Sequence, residues 1–279
     1  MEKLKTFFRN KYVRFSWNSL ILLICIPFLF YSYFIIKNAI FSDKETLFNR
    51  AGNFQGSYYS DYTFDYLLKK YPKNSKFWWE SSVAYNKRGE HEIGMKRLKN
   101  ASHLDPLSHL GYSGWIKLDK LKDYENALKD FHQLDKISKT TEYPWGDNIY
   151  YRMAICYQGL EKYDSAMLYY NKYFDSEKDK KNIIPITYTY LGKMKADLNL
   201  NKEALELYNK TISIDSNTAE AYFYKAETFN KLNMKDSAKF NYIKSLDLTN
   251  KSYKKADPYN EVFLEIYSSQ IEDKLNELK

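Results

Sequence analysis

A small residue followed four positions later by a large apolar one, behind a polar turn, recurs five times in this chain. Gly94 with Leu98, Ala127 with Phe131, Ala166 with Tyr170, Ala204 with Tyr208 and Ala238 with Tyr242 carry the pattern. The small positions are 33, 39, 38 and 34 residues apart, which is a period of about 34 broken by two short inserts. Residues four apart share one helix face. The small member therefore lets a partner helix approach, and the large member is expected to fill the gap towards the next unit. One such unit cannot bury its apolar face alone, so a repeat of this length predicts a stack of similar units. Composition agrees: 9 Gly and 6 Pro in 279 residues leave few helix breakers, while 28 Tyr and 17 Phe supply large packing groups.

The units resemble the tetratricopeptide repeat (TPR), a 34-residue helix, turn and antiparallel helix. The segment 75–107, closed by Ser108, matches closely, with Trp78 and Tyr85 on the first helix, Gly89 at the turn, Gly94, Leu98 and Ala101 on the second and Asp105-Pro106 closing. Further units read as 108–141, 147–180, 185–218 with Leu191-Gly192, and 219–252 with Ala226 and Phe229. Two departures stand out: Lys178 replaces the usual Pro, and the first-helix register of 108–141 is open by one residue. The inserts fall at 142–146, which contains Tyr143-Pro-Trp-Gly, and near 181–184. Upstream, Phe64, Leu67 and Pro72 lie one period before Leu98, Ala101 and Pro106, so 41–74 reads as a degenerate first repeat. Downstream, Asp257-Pro258 predicts an N-cap and N1 proline opening a capping helix towards Leu278, within 253–279. The resemblance implies a right-handed solenoid of five to six repeats.

The first 37 residues are of another kind. Phe15 to Ile36 contain no charge, and at about 1.5 Å per residue such a helix spans roughly 30 Å of hydrocarbon. Five Lys/Arg precede it, and Trp17, Tyr31 and Tyr33 lie near its ends. The reading is a basic cytoplasmic N-terminus (1–14), a single signal-anchor helix (15–37) and everything after it on the far side. Two alternatives lack their signals. A cleaved signal peptide lacks its small-residue site in Tyr31-Ser-Tyr-Phe-Ile-Ile36, and a lipidated Cys25 lacks its small-residue box. The formal charge of +8 belongs mainly to this region, because residues 1–37 hold six Lys/Arg against one acid. What remains is too balanced for the basic stripe of a nucleic-acid binder.

No catalytic signature is legible. His91, His103, His109 and His132 are scattered without Cys partners, and His91-Glu92 fails as a metalloprotease motif because Met95 stands at the second ligand position. Nucleophile-elbow, phosphate-loop and dinucleotide patterns are absent from the sequence. Cys25 and Cys156 allow no disulfide framework, and Cys156 reads as a small core residue. The chain is expected to be no enzyme and to need no cofactor or metal.

The TPR resemblance implies a concave groove lined by the first helices. It assigns Trp79, Val83, Asn86 and Lys87, then Tyr151, Ile155 and Gln158, then Thr189 and Lys193, then Phe223, Glu227 and Asn230, with Tyr112 and Asp119 joining if the register of the second unit holds. Rings with nearby amides suit an extended peptide. The expectation is a monomeric protein-interaction scaffold, similar to membrane-anchored TPR proteins of the Bacteroidetes, single-pass in a bacterial inner membrane with its solenoid in the periplasm. A glycan-binding protein on a TPR-like frame is the alternative, favoured if exposed rings lie beside acids on loops. An enzyme with an unannounced site would need a pocket of converging polar groups.

Overall fold

The computed structural model describes residues 25–30, 32–33, 42–177, 179–258 and 260–278. Residues 25–30 and 32–33 are helical; the rest of the segment read as membrane-spanning, and the basic N-terminus, lie outside the described residues. Among the described residues no helix is long and apolar enough to cross a membrane.

From residue 44 onward the described chain is helical hairpins. They are α1 (Lys44–Asn53) with α2 (Tyr58–Lys70), α3 (Ser75–Lys87) with α4 (His91–Leu104), and α5 (Pro106–Trp115) with α6 (Tyr124–Ile137). Then come α7 (Ile149–Gly159) with α8 (Tyr163–Ser176), α9 (Ile186–Asp197) with α10 (Asn201–Ile214), and α11 (Ala219–Lys231) with α12 (Lys235–Asn250). A last helix, α13 (Ser268–Glu277), packs on α12. Each hairpin packs closely on itself and less closely on the next, the arrangement of a TPR-like solenoid.

The repeat pattern explains the packing. All ten residues of the five pairs are buried. The large members pack against the first helix of their own hairpin, and Leu98 and Tyr208 also join clusters with the next one. A Cβ at Gly114 would stand 2.5 Å from the Phe131 ring, and one at Gly192 would stand 2.6 Å from Tyr208. Tyr170 donates to Gln158 Oε1 at 2.6 Å, and Tyr242 packs edge-on to Phe223 at 5.8 Å. The second helix thus inserts a ring where the first helix is small or bears a hydrogen-bond partner.

The turns repeat as faithfully. Five residues before each small position the backbone is left-handed, at Gly89, Lys122, Glu161, Asn199 and Asn233. In the first, third, fourth and fifth of these turns the next amide returns to a carbonyl five residues back, as Lys162 to Tyr157 and Met234 to Phe229, both at 2.9 Å. This closure satisfies orphan carbonyls at the helix end. Only the first turn uses the residue for which left-handed geometry carries no steric cost. The second differs because α5 runs on into a π-helical turn, Ile116–Lys120, where Leu121 donates to Ile116.

The C-terminal region differs from its sequence expectation. Asp257-Pro258 opens no helix: residues 253–258 and 260–267 are non-helical, and α13 starts at Ser268. A local capping signal of about 1 kcal/mol has lost to tertiary contacts, described next.

Candidate functional site

The face lined by the first helices of the hairpins is divided. Its C-terminal half is covered by the loop 253–267. The Ala219 amide donates to the Tyr253 carbonyl at 3.1 Å, and the Lys255 amide donates to Glu220 Oε1 at 2.5 Å, both at the start of α11. The loop then runs out along the groove as far as the end of α5. There Lys120 donates to Asn260 Oδ1 at 3.3 Å and Lys122 donates to the Glu261 carbonyl. Returning, Phe263 sets its ring edge-on to Tyr190 at 5.1 Å, Tyr224 donates to the Leu264 carbonyl at 3.1 Å, and Ile266 is buried. Lys254 ties the two ends by donating to Glu265 Oε1 at 2.5 Å and to the Ile266 carbonyl at 3.0 Å. Closed ends and side chains packed inward define an Ω-loop. Glu220 is buried beneath it, and burial raises its carboxyl above the ordinary range.

The N-terminal half holds an open cavity of about 490 Å³, lined by Gly52, Gln55, Trp79, Glu80, Val83, Lys87, Tyr112, Trp115, Lys120, Trp145 and Asp257. Its walls are rings: Trp115 and Trp145 stack at 5.1 Å, Tyr112 lies 4.9 Å from Trp145, and Trp79 meets Tyr112 edge-on at 6.0 Å. Its polar floor is connected, since Gln55 donates to Glu80 at 2.9 Å and accepts from Lys87 at 3.2 Å. Burial raises the Glu80 carboxyl and, as the larger of two causes ahead of Glu80 itself, the Tyr112 hydroxyl.

Trp145 is placed by the insert that breaks the period. Pro144–Gly146 form a single 3-10 turn in which Trp145 is left-handed at φ 54, and the side chain stays 55% exposed. Non-glycine residues avoid this region at a cost of about 1 kcal/mol or more, so surrounding contacts hold it. Arg152, 4% exposed, supplies them: it donates to the Pro144 carbonyl at 2.8 Å and pairs with Asp119 at 3.1 Å and Asp147 at 3.0 Å. Asp119 comes from the π turn of α5, so one guanidinium joins the insert to the preceding hairpin. A second cavity of about 230 Å³ lies beside it, between Tyr151, Arg152 and Ile155 on one wall and Ala256, Asn260 and Phe263 of the loop on the other.

The groove residues expected from the resemblance separate accordingly. Trp79, Val83 and Lys87 line the open cavity with Tyr112; Tyr151 and Ile155 line the second cavity with Asp119. Others have structural partners. Asn86 is buried against Gly94, and Gln158 donates to the Tyr190 carbonyl. Thr189 donates to Thr211, Lys193 pairs with Asp197, Phe223 packs between Tyr224 and Tyr242, and Glu227 accepts from Tyr242. Asn230 is half-buried on α11. Trp115, Trp145, Gln55, Glu80 and the loop lie outside the positions that the resemblance assigns. A period broken by a Pro-Trp-Gly insert was the visible signal for Trp145. Cys156 is fully buried and burial pushes its thiol up, as befits a core residue. Among the described residues no three His, Cys, Asp or Glu are grouped to hold a metal ion.

Comparison with known proteins places this architecture. Residues 147–180 match the tetratricopeptide-repeat family, and the described chain is a TPR-like all-α solenoid. No curated protein matches it in sequence. Among solved structures it is similar to PilW, described as a type IV pilus biogenesis factor, at TM-score 0.56 and 14% identity over 72% of this chain and 92% of that one. It is similar to MamA from Desulfovibrio magneticus at 0.53 and 17% identity, over 63% of this chain and 96% of that one. A tetratricopeptide-repeat protein from Parabacteroides merdae aligns at 0.52 and 16% identity, over 82% of this chain and 79% of that one. At these identities the likeness is one of fold.

Proposed function

We propose that this protein is a non-catalytic interaction scaffold that holds an extended segment of a partner protein against the concave face, with the tryptophan-walled cavity as its anchoring pocket. We place it as a single-pass protein of a bacterial inner membrane, monomeric, with residues 15–37 in the bilayer and the solenoid on the periplasmic side. One observation carries the binding reading. The groove already accommodates a non-helical stretch of polypeptide, the loop 253–267, by giving donors to its carbonyls and an acceptor to its amide. That chemistry is independent of the guest's side chains and serves any extended chain. The open cavity continues the same path, with Asp257 at the junction, and its rings offer large rigid contact surfaces for a side chain.

Selection from a displayed library of random peptides on the full-length protein tests this. Enriched sequences should share an aromatic or large apolar residue, and should bind a Trp79→Ala/Trp145→Ala variant of unchanged helicity at least about tenfold more weakly, roughly 1.4 kcal/mol. No enrichment, or equal binding to the variant, overturns the proposal. A glycan reading has its own support in Trp145, an exposed ring on an insert beside Asp147. Oligosaccharide-array binding that disappears in the same variant, without peptide enrichment, would establish it instead.

A further inference from the structure

We propose that the outer face of α2 and the lysine-rich end of the first hairpin rest on the surface of an anionic phospholipid bilayer; this builds on the reading of residues 15–37 as a membrane anchor. Positions 58, 62, 66 and 70 fall in one row along α2, on the side away from the buried Phe64, Leu67 and Leu68. On that face Tyr58 is 96% and Tyr62 is 77% exposed, Tyr66 and neighbouring Tyr59 are also exposed, and Lys70 donates to the Tyr66 hydroxyl. A row of exposed tyrosines ending in lysine is the composition of a helix lying in a headgroup layer: each ring enters the acyl boundary while its hydroxyl stays in the wet region, and lysines reach phosphates. The two acids of α2 do not oppose this, because Asp61 pairs with Arg88 at 3.5 Å and Asp65 with Arg97 at 2.7 Å.

The adjoining end is basic. The ammonium groups of Lys44 and Lys70 both lie over the Tyr71 ring, at 5.9 and 5.6 Å, which brings the start of α1 and the end of α2 together. Lys69, Lys73 and Lys76 are exposed beside them. Asp43 and Glu45 are also at this end, and Asp43 is engaged in capping α1 by accepting from the amides of Glu45 and Thr46. An open depression lined by Lys44, Tyr71, Pro72, Lys73, Asn74 and Ser75 suits a phosphate-bearing headgroup.

Chain length supplies the second constraint. The uncharged stretch ends at Ile36 and α1 begins at Lys44. Seven or eight residues reach at most about 25 to 29 Å, and α2 is itself about 20 Å long. A tether of that length keeps the first hairpin within reach of the bilayer surface and leaves later hairpins free to project from it.

The test uses full-length protein reconstituted in phosphatidylcholine vesicles containing about one-third phosphatidylglycerol and a headgroup-nitroxide lipid. A bimane label is attached at Tyr62→Cys, or at Tyr66→Cys should the first variant lose helicity, in a Cys25→Ser background. A control label sits at Ile214→Cys, on an exposed position of α10. The proposal expects about twofold or greater quenching at position 62 with little at position 214, and a reduction when Lys44, Lys70 and Lys73 are changed to Glu. Equal, weak quenching at both labels in protein that floats with the vesicles overturns the surface contact and leaves the anchor reading intact. Failure to float with the vesicles removes the anchor reading and this proposal together.

Discussion

The two halves of the face lined by the first helices are built from the same repeat and end in opposite states. In the C-terminal half, Tyr190 and Tyr224 meet the loop 253–267; in the N-terminal half, Trp79, Tyr112, Trp115 and Trp145 meet one another around a cavity. A solenoid surface made of first helices is one continuous strip, so what is added to it decides whether a stretch is closed or open. Closure here comes from the C-terminal chain folding back, and the open part is shaped by an insert between two units. Both additions fall outside the 34-residue pattern, and both converge on Asp119, Arg152 and Lys120 at the join.

The strongest way to break this contrast is at the join. Arg152→Met removes a buried cation from two partly exposed carboxylates and a carbonyl, and a loss of about 2 kcal/mol follows when such partners are left unsatisfied. The urea midpoint should fall accordingly, and the Trp145 turn should lose its support, visible as a red shift in tryptophan emission. A loss below about 0.5 kcal/mol, typical of surface positions, would mean that the halves are joined elsewhere.

The closed half is tested by Phe263→Ala. Removing a half-buried ring from Tyr190 should cost about 2 kcal/mol and release the loop. Hydrogen exchange should speed at the amides of Ala219 and Lys255, which bond to and within this region, and stay unchanged in α3 and α4. Uniform acceleration would show that the loop is part of the global core rather than a cover.

These experiments bear on what a reader of sequence can and cannot see. The hairpins were legible because each buried pair, such as Ala204 with Tyr208, satisfies a local rule of spacing that the fold then uses unchanged. The cavity was half legible: Trp79, Val83 and Lys87 sit at repeat positions, whereas Trp145 sits in an insert and Glu80 and Gln55 come from adjoining hairpins. The loop was not legible. Asp257-Pro258 is a sound helix start by local chemistry, and its defeat depends on Lys120, Lys122, Tyr190 and Tyr224, which lie between 33 and about 140 residues away in sequence. No window of contiguous residues contains that information.

Trp145→Gly separates support from recognition in the open half. Glycine accepts φ 54 without strain, so relief of roughly 1 kcal/mol offsets the lost ring contacts and net stability should move by less than about 1 kcal/mol. Peptide affinity should nevertheless fall about tenfold, read by fluorescence anisotropy. A large stability loss with unchanged affinity would make the tryptophan cluster a packing feature.

The smallest effect concerns Glu220 under the loop. Its carboxyl is raised above the ordinary 4.5 chiefly by burial, so between 4.5 and the raised value the folded protein binds more protons than the unfolded chain. Stability contributed by this group is therefore full below pH 4.5 and declines as pH rises through that window. Glu220→Gln keeps an acceptor for the Lys255 amide and cannot titrate. Urea midpoints of the two proteins should then agree at low pH, with wild type falling behind the variant as pH increases and the gap constant at neutral pH. If wild type gains on the variant instead, the ionised carboxylate is held by Lys254 and Lys255, both of which favour its charged form. The loop would then be closed over the groove by charge rather than by packing.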